Sequence, residues 1–201
     1  MKKAKNPLKI TAILSCIFLL FSCNPLENET ESDSLLVVQN ITGTDIDGNV
    51  VNYLQSDVQR LDEQTGQPYI TADSASAALK VSLLDPSPIA EASQYNSITI
   101  NRYVVSYSRS DGHNTPGVDI PYSFEGSLSV LIDVGSTATI AFIIVREVAK
   151  IEPPLINLVS GTEEGVLQVT AKVDFYGQDL ANNKVKATGY LNIFFANYTD
   201  N

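Results

Sequence analysis

The chain has 201 residues, with 23 acidic and 13 basic side chains and a net charge of −10 at pH 7. This excess of acid excludes nucleic acid as an expected partner, because the basic residues from Arg60 to Lys186 are scattered and form no cluster that would attract phosphates. Two cysteines and one histidine leave few side chains for a metal site based on Cys or His, or for a catalytic triad.

The first residues have the pattern of an export signal. Lysines at positions 2, 3, 5 and 9 precede an apolar stretch over residues 10–21. A transmembrane helix needs about 20 apolar residues, so this stretch is too short to span a bilayer and is typical of a signal-peptide core. We therefore expect residues 1–22 to be a signal peptide.

Residues 20–23, LFSC, resemble the lipobox of bacterial lipoproteins, in which a leucine, a tolerant position and a small residue precede a cysteine. The resemblance implies that the Cys23 thiol receives a diacylglyceryl group, that cleavage occurs before Cys23 and that the new amino terminus is acylated too. Two or three chains make a stable anchor, since each buried methylene contributes about 0.8 kcal/mol. The implied location is the bacterial cell envelope, and Asn24 after the cysteine favours the outer membrane.

Two alternatives also place the chain at a membrane. Cys16 follows Leu-Ser as well, but cleavage there would leave only residues 10–15 as the apolar core. The second alternative is that residues 10–21 form an uncleaved helical anchor and that Cys23 is not modified.

Cleavage before Cys23 would change the charge and the thiol content of the chain. It leaves nine basic against 23 acidic side chains, a net charge of −14. With Cys23 acylated, no thiol remains for a disulfide, a nucleophile or a metal.

The following residues divide into a tether and one domain. Residues 23–34 are acidic and have too few apolar side chains to pack against a core, so we expect a flexible tether that reaches at most roughly 35 Å. Residues 35–201 consist of short apolar or alternating runs separated by Gly, Asn, Asp and Pro. This pattern predicts a single domain of β-strands.

The alternation is clearest near the C-terminus. Apolar residues recur at every second position in 166–175 (VLQVTAKVDF) and 185–195 (VKATGYLNIFF), which predicts two strands joined as a hairpin. Residues 137–145 (TATIAFIIV) are apolar on both faces and predict a central strand covered from both sides. Weaker candidates for strands are residues 35–41, 48–54, 78–84, 96–109 and 123–132.

Two segments depart from the strand pattern. Residues 72–80 (ADSASAALK) are the one stretch for which we expect a helix. Residues 147–158 are expected to form a crossover, because Pro153-Pro154 removes two backbone donors from any ladder. About eight strands in total predict an all-β fold, an antiparallel β-sandwich.

The lipobox, the acidic tether and the alternating strands together resemble bacterial surface or periplasmic lipoproteins with an immunoglobulin-like sandwich. RYVVSYSRSDGHNTPGVDIPYSFEG (102–126) and DFYGQDLANNKV (174–185) look like segments of uncharacterised members of that group. The Cys…Trp…Cys hallmark of antibody domains is missing, so the likeness concerns the architecture. It implies a scaffold for loops and specifies neither a ligand nor a reaction.

The candidate binding loop spans residues 110–122 and contains Asp111, His113, Asn114 and Asp119. One interpretation is recognition of a protein by these side chains, and another is a divalent cation bound by imidazole and carboxylates. The simplest interpretation is a turn, because Asp-Gly and Pro-Gly pairs are turn sequences.

Residues 45–49 (DIDGN) invite comparison with a calcium loop. The EF-hand pattern fails, because Val50 and Ser56 stand where a glycine and a bidentate glutamate are required. We expect a hairpin turn here. A weak calcium site at Asp45 and Asp47 is the alternative.

Tyrosines form a candidate binding face. Tyr103 and Tyr107 share one side of their predicted strand, and Tyr190 and Tyr198 share the outward side of the last strand with Phe194. Exposed rows of this kind bind protein or sugar, whereas burial under a second sheet is the alternative. If the last strand lies at a sheet edge, its backbone can accept a partner strand.

The sequence contains no nucleophile elbow, zinc-protease motif, P-loop or Rossmann fingerprint. We therefore expect a non-catalytic, lipid-anchored protein without a cofactor, whose partner is another envelope or extracellular protein. One alternative is a carbohydrate-binding or adhesion module. The other is a hydrolase that uses two carboxylates about 5 to 10 Å apart.

Overall fold

The computed structural model describes residues 32–85, 93–160 and 165–198. Cys16, Cys23 and most of the predicted tether lie outside the described residues. Within the described residues, no helix is long and apolar enough to cross a membrane. Two sheets pack against each other around one hydrophobic core, which confirms the predicted antiparallel β-sandwich.

The elements follow one another as a series of strands with a helical crossover near the end. In chain order they are β1 (Ser34–Thr44), β2 (Val50–Val51), β3 (Tyr53–Asp57), β4 (Arg60–Leu61), β5 (Pro68–Tyr69), β6 (Asp73–Leu83), a 3-10 turn (Gln94–Asn96), β7 (Ile98–Ser108), β8 (Phe124–Ile132), β9 (Thr137–Val145), α1 (Glu147–Lys150), α2 (Leu155–Ser160), β10 (Leu167–Asp179) and β11 (Lys184–Ala196). Eight of these strands have five residues or more, in agreement with the expected number.

The strand order is that of an immunoglobulin-type sandwich. One sheet has the order β2-β1-β6-β9 and the other β3-β11-β10-β7-β8, and β4 and β5 form a separate two-stranded ribbon. If β1, β6 and β9 are named A, B and E, the second sheet corresponds to A′, G, F, C and C′, so the order matches the immunoglobulin sandwich without strand D. All pairs are antiparallel except β11 with β3, which are parallel.

The core follows the period-two alternation of the strands. In β10 the buried side chains include Val169, Ala171, Val173 and Phe175, as predicted, and β11 pairs with β10 in the expected hairpin. Between the sheets the Phe142 ring packs edge-to-face on Phe175, with centroids 5.4 Å apart. Such aromatic pairs add about 0.5–1.5 kcal/mol beyond the burial of their area.

Local hairpin and crossover predictions are also confirmed. Residues 45–49 form the turn between β1 and β2, where the Asp45 amide donates to the Asn49 carbonyl at 3.0 Å. Residues 147–158 form the crossover, with α1 and α2 on either side of Pro153-Pro154.

The expected helix in residues 72–80 is wrong. Asp73–Leu83 is strand β6, in which Ala75, Ala77, Leu79 and Val81 are buried between polar neighbours. Alanine has the highest intrinsic helix propensity, but such preferences are below about 1 kcal/mol per residue, and pairing of β6 with β1 and β9 overrides them.

The predicted central position of residues 137–145 is also wrong. Strand β9 is an edge strand, not a central one, and its outward residues are exposed, Ile143 to 38 %. Strand β11 is not an edge strand, because β3 pairs with it on the side away from β10. Residues 192–195 of β11 are therefore paired on both sides and leave no edge there for a partner strand.

The sandwich begins slightly before the predicted boundary at residue 35. Ser34 is the first residue of β1, and its hydroxyl donates to the Asn96 carbonyl at 2.6 Å. Ser32 is buried and donates to Asp179 Oδ2 at 2.7 Å. These hydrogen bonds attach Ser32 and Ser34, which the sequence pattern assigns to the tether, to the folded domain.

Candidate functional site

The predicted binding loop uses its polar groups to hold its own backbone. The Arg109 guanidinium pairs with the Asp111 carboxylate, whose two oxygens both lie 3.1 Å from Arg109 Nε. The same carboxylate accepts the His113 amide at 3.1 Å, and Asn114 Oδ1 accepts the Arg109 amide at 2.6 Å. Asp119 Oδ2 accepts the Thr115 amide at 2.9 Å and so closes the turn formed by residues 115–119. The loop matches the turn interpretation, since each acceptor serves a nearby backbone or side-chain donor.

The ionisation of this loop follows from those hydrogen bonds. The Arg109 side chain and the His113 amide hold the pKa of Asp111 below its ordinary value. The amide and hydroxyl of Thr115 do the same for the pKa of Asp119. The imidazole of His113 is 70 % exposed and lies 3.6 Å from Asp111. The loop is therefore a charged, solvated turn at neutral pH.

Metal ligands do not converge in the residues that the structure describes: no group of three or more His, Cys, Asp or Glu side chains there is arranged to hold an ion. Both oxygens of Asp45 serve its own turn, accepting the Asn49 amide at 2.7 Å and the Asn49 side-chain amide at 2.9 Å. Asp47 is exposed at the tip of the same turn.

The four predicted tyrosines do not share one face. Tyr103 and Tyr107 are 5 % and 6 % exposed and point into the core, so core packing, the alternative interpretation, applies to them. Tyr190 is 62 % exposed on the outer side of β11, and Tyr198 is half-buried beyond the end of that strand. Only the last two contribute to a surface.

An open pocket of about 350 Å³ lies next to Tyr198 on the outer face of the five-stranded sheet. We call it the aromatic pocket, and it is lined by Tyr53, Gln55, Val166, Phe194 and Tyr198. Its volume lies within the roughly 300–1,000 Å³ that is common for small-molecule sites.

The parallel pairing of β3 with β11 creates this pocket. Phe194 pairs in register with Gln55, and Asn192 with Tyr53. Because side chains alternate along a strand, Tyr53 and Gln55 point outward while Leu54 between them is buried. The pocket thus joins residues that are far apart in the chain.

Hydrogen bonds and ring packing hold the aromatic pocket in shape. Tyr53 meets Phe194 edge-to-face, with centroids 5.8 Å apart. The Tyr198 hydroxyl donates to the Phe194 carbonyl at 3.2 Å, and its amide donates to Asp57 Oδ1 at 3.2 Å. Burial raises the pKa of the Tyr198 phenol, although a hydrogen bond with Gln55 opposes the shift. The phenol is therefore neutral at physiological pH.

A charged cluster lies on the same outer face, centred on Asp174 and Tyr176 of β10. Asp174 accepts Thr188 Oγ1 at 2.6 Å and lies 3.0 and 3.3 Å from the ammonium groups of Lys172 and Lys186. Burial by itself raises the pKa of Asp174, but these hydrogen bonds outweigh it and hold the pKa below the ordinary value.

Cations also order the ring of Tyr176. The Arg102 guanidinium carbon lies 4.2 Å from the ring centroid and Lys186 Nζ lies 5.2 Å from it. Arg102 is fixed in turn by Glu125, at 2.9 Å. The outer face therefore combines an uncharged aromatic pocket with a cluster of paired charges, both of which can make specific contacts.

Two pockets of the described residues, the aromatic pocket and a smaller cleft, can be compared with the paired carboxylates that a hydrolase would use. Neither is lined by two acids. The five residues that line the aromatic pocket include no carboxylate. A smaller cleft of about 80 Å³ beside Tyr122 and Arg146 has Glu152 as its single acid. The arrangement at both places suits binding through shape, aromatic contact and hydrogen bonds.

Comparison of the chain with protein-family models, with curated proteins and with solved structures gives no match. The sequence predicts only part of the aromatic pocket. Alternation along the last strand predicts that Phe194 and Tyr198 face outward, but it does not bring Tyr53 and Gln55 to the same place. The alternation around Leu54 was a usable signal for their direction. No local signal showed that β3 would pair with β11.

Proposed function

We propose that this protein is a lipid-anchored, non-catalytic binding module of the bacterial cell envelope. It binds another envelope or extracellular component through the outer face of the five-stranded sheet. The observation that carries the proposal is the aromatic pocket, in which Tyr53, Phe194 and Tyr198 are held in place before any ligand arrives. The anchor rests on the lipobox-like LFSC motif that ends at Cys23.

Rigid aromatic rings favour binding for an energetic reason. Association costs conformational entropy, roughly 0.5–1.5 kcal/mol for each flexible side chain that becomes immobilised. Tyr53 and Phe194 already restrain each other through their edge-to-face contact, and Tyr198 is fixed at its hydroxyl and its amide. Little of this cost remains to be met when a ligand enters.

A photocrosslinking experiment tests the proposed face. Benzoylphenylalanine is introduced at position 194 of the full chain, expressed in its native cells, and at position 95 as a control. Tyr95 is 60 % exposed but lies on the 3-10 turn, away from the aromatic pocket. We expect a discrete covalent adduct from position 194 that Tyr53→Ala weakens, and none from position 95. Equal labelling from the two positions, or no adduct from position 194, would refute the proposed face.

Carbohydrate is a second candidate ligand, because the aromatic pocket is uncharged and offers one amide side chain, Gln55, beside its rings. A neutral sugar ring has apolar C–H faces for aromatic contact and hydroxyls for an amide. Affinity electrophoresis in gels containing neutral glucan, mannan or xylan tests this. Retardation should be lost in Phe194→Ala and kept in Tyr95→Ala. Unretarded wild-type protein in all three gels excludes these sugars and leaves the crosslinking result to decide on a protein partner.

A further inference from the structure

Lys150, the last residue of α1, is fully buried and surrounded by oxygen atoms. Its Nζ lies 2.7 Å from the Asp57 carbonyl oxygen and 3.0 and 2.9 Å from the two carboxylate oxygens of Asp73. Lys150 has no exposed surface, and Asp73 at the start of β6 is 8 % exposed. A lysine is seldom buried to this extent, because its charged form loses its hydration.

The geometry places the amine beside the carboxyl group. Nζ lies 3.0 and 2.9 Å from the two carboxylate oxygens, and a small displacement out of the carboxylate plane would bring it over Asp73 Cγ, at the spacing of roughly 3–3.5 Å from which bound groups react. The Ser56 hydroxyl donates to Asp73 Oδ2 at 2.6 Å. One carboxylate oxygen thus has a proton donor beside it, and Nζ approaches the same group in a site closed to water.

We propose that Lys150 and Asp73 condense into an intramolecular isopeptide bond. The bond from Nζ to Cγ forms and the bond from Cγ to Oδ2 breaks. The ammonium group first passes one proton to Oδ2, which leaves a neutral amine whose lone pair attacks Cγ. A second proton from Nζ then departs with Oδ2 as one water molecule, while Oδ1 remains as the amide oxygen. One positive and one negative charge disappear together, and the step requires no oxidant, reductant or activated co-reactant.

Burial of the two charged groups favours formation of the amide over its hydrolysis. Forming the amide removes two charges from the interior of the sandwich, where both are poorly solvated. The released water passes to the solvent, and the closed site hinders the reverse hydrolysis. Ser56 acts as a positioning residue, because its hydroxyl is hydrogen-bonded to the oxygen that departs.

The bond would join strand β6 covalently to the crossover between β9 and β10. Residues 73–150, which include β7, β8 and β9, would become a closed loop whose ends cannot separate on unfolding. A crosslink of this kind restricts the unfolded chain as a disulfide does. It would serve the mature protein, in which no free cysteine is expected, and it does not depend on the ligand bound at the aromatic pocket.

Peptide mapping of the full chain tests the proposal. After denaturation and trypsin digestion, we expect residues 147–172 to remain uncut after Lys150 and to be joined to residues 61–80, with a combined mass lower by one water. Tandem mass spectra locate the bond. The Asp-Gly sequences at 47–48 and 111–112, which also lose water by cyclising, lie in other tryptic peptides. Cleavage of wild type after Lys150, with every peptide at its sequence mass, would overturn the proposal.

Matched variants separate the crosslink from an accidental water loss. Lys150→Arg retains the positive charge and should give only separate peptides at their sequence masses. Lys80→Arg makes the same exchange at a lysine on β6 that is partly exposed, and the crosslink should remain. Ser56→Ala should lower the yield of joined peptide, whereas an unchanged yield would show that Ser56 does not position Asp73 for the reaction.

Discussion

The hydroxyl of Tyr107 on β7 donates a hydrogen bond of 2.6 Å to the carbonyl oxygen of Ile144 on β9, and so links the two sheets through the core. The register of β9 on β6 jumps from Val145 to Ile143, which leaves Ile144 as the extra residue of a bulge. Burial raises the pKa of the Tyr107 phenol, which therefore stays neutral and remains a donor. A side chain of one sheet thus satisfies a carbonyl that the other sheet leaves unpaired.

We expect Tyr107→Phe to lower the free energy of unfolding by about 1–3 kcal/mol, because the buried carbonyl of Ile144 loses its donor. Urea denaturation measures the change. Tyr95→Phe, at a tyrosine that is 60 % exposed, is the control and should leave the midpoint where it is. Equal midpoints for all three proteins would contradict this assignment.

Removal of Asp73 should be more damaging. Asp73→Ala leaves the fully buried Lys150 amine without its carboxylate, at an expected cost of about 3–5 kcal/mol. The double variant Asp73→Leu with Lys150→Met replaces both polar groups by apolar ones, so it should recover the part of that loss caused by the unpaired amine but not the part caused by the missing crosslink. Urea denaturation of the two variants and wild type decides. A double variant no more stable than Asp73→Ala would contradict a penalty from the unpaired amine, since both variants lack the crosslink equally.

Stability should decline in acid partly because of Asp174. Its pKa is lowered in the folded state, since the hydrogen bonds from Thr188, Lys172 and Lys186 outweigh the effect of burial. An unfolded aspartate titrates near pH 3.9, so the ionised group stabilises the fold above about pH 4 and this contribution disappears as the pH falls through the lower, folded-state pKa.

Asp174→Asn tests this dependence. At neutral pH the variant should be less stable than wild type, and the difference should shrink as the pH falls below about 4. Urea midpoints at a series of pH values give the two profiles. Profiles that stay parallel down to about pH 2 would show that ionised Asp174 contributes nothing specific to the fold.

The lipid anchor makes a separate prediction. Wild type should be found in the membrane fraction and begin at an acylated Cys23, whereas Cys23→Ala should remain unprocessed. Intact mass and membrane fractionation of protein expressed in a bacterial host measure both properties. Cys16→Ala is the matched control and should behave as wild type. If Cys16→Ala blocks processing and Cys23→Ala does not, the anchor is at Cys16.

Much of the fold was predictable because side chains alternate between the two faces of a strand, so that a buried face appears in the sequence as an apolar residue at every second position. The β10–β11 hairpin, the turn after Asp45 and the crossover at Pro153-Pro154 all depend on residues that are neighbours in the chain. The errors occurred where local pattern was ambiguous. Alanines in β6 suited a helix as well as a strand, and the apolar run of β9 did not reveal whether another strand would cover it.

The sequence by itself therefore determined most of the strand segments, the acidity and the lipobox-like motif, since each is a property of consecutive residues. Only the tertiary structure decided that Tyr103 and Tyr107 are buried, that Tyr53 meets Phe194 and that Lys150 meets Asp73. These contacts join segments distant in the chain. Packing of the two sheets buries Tyr103 and Tyr107, the pairing of β3 with β11 brings Tyr53 to Phe194, and the crossover after β9 brings Lys150 to Asp73. Many pairings satisfy the same alternation, and the packing of the whole core selects one of them.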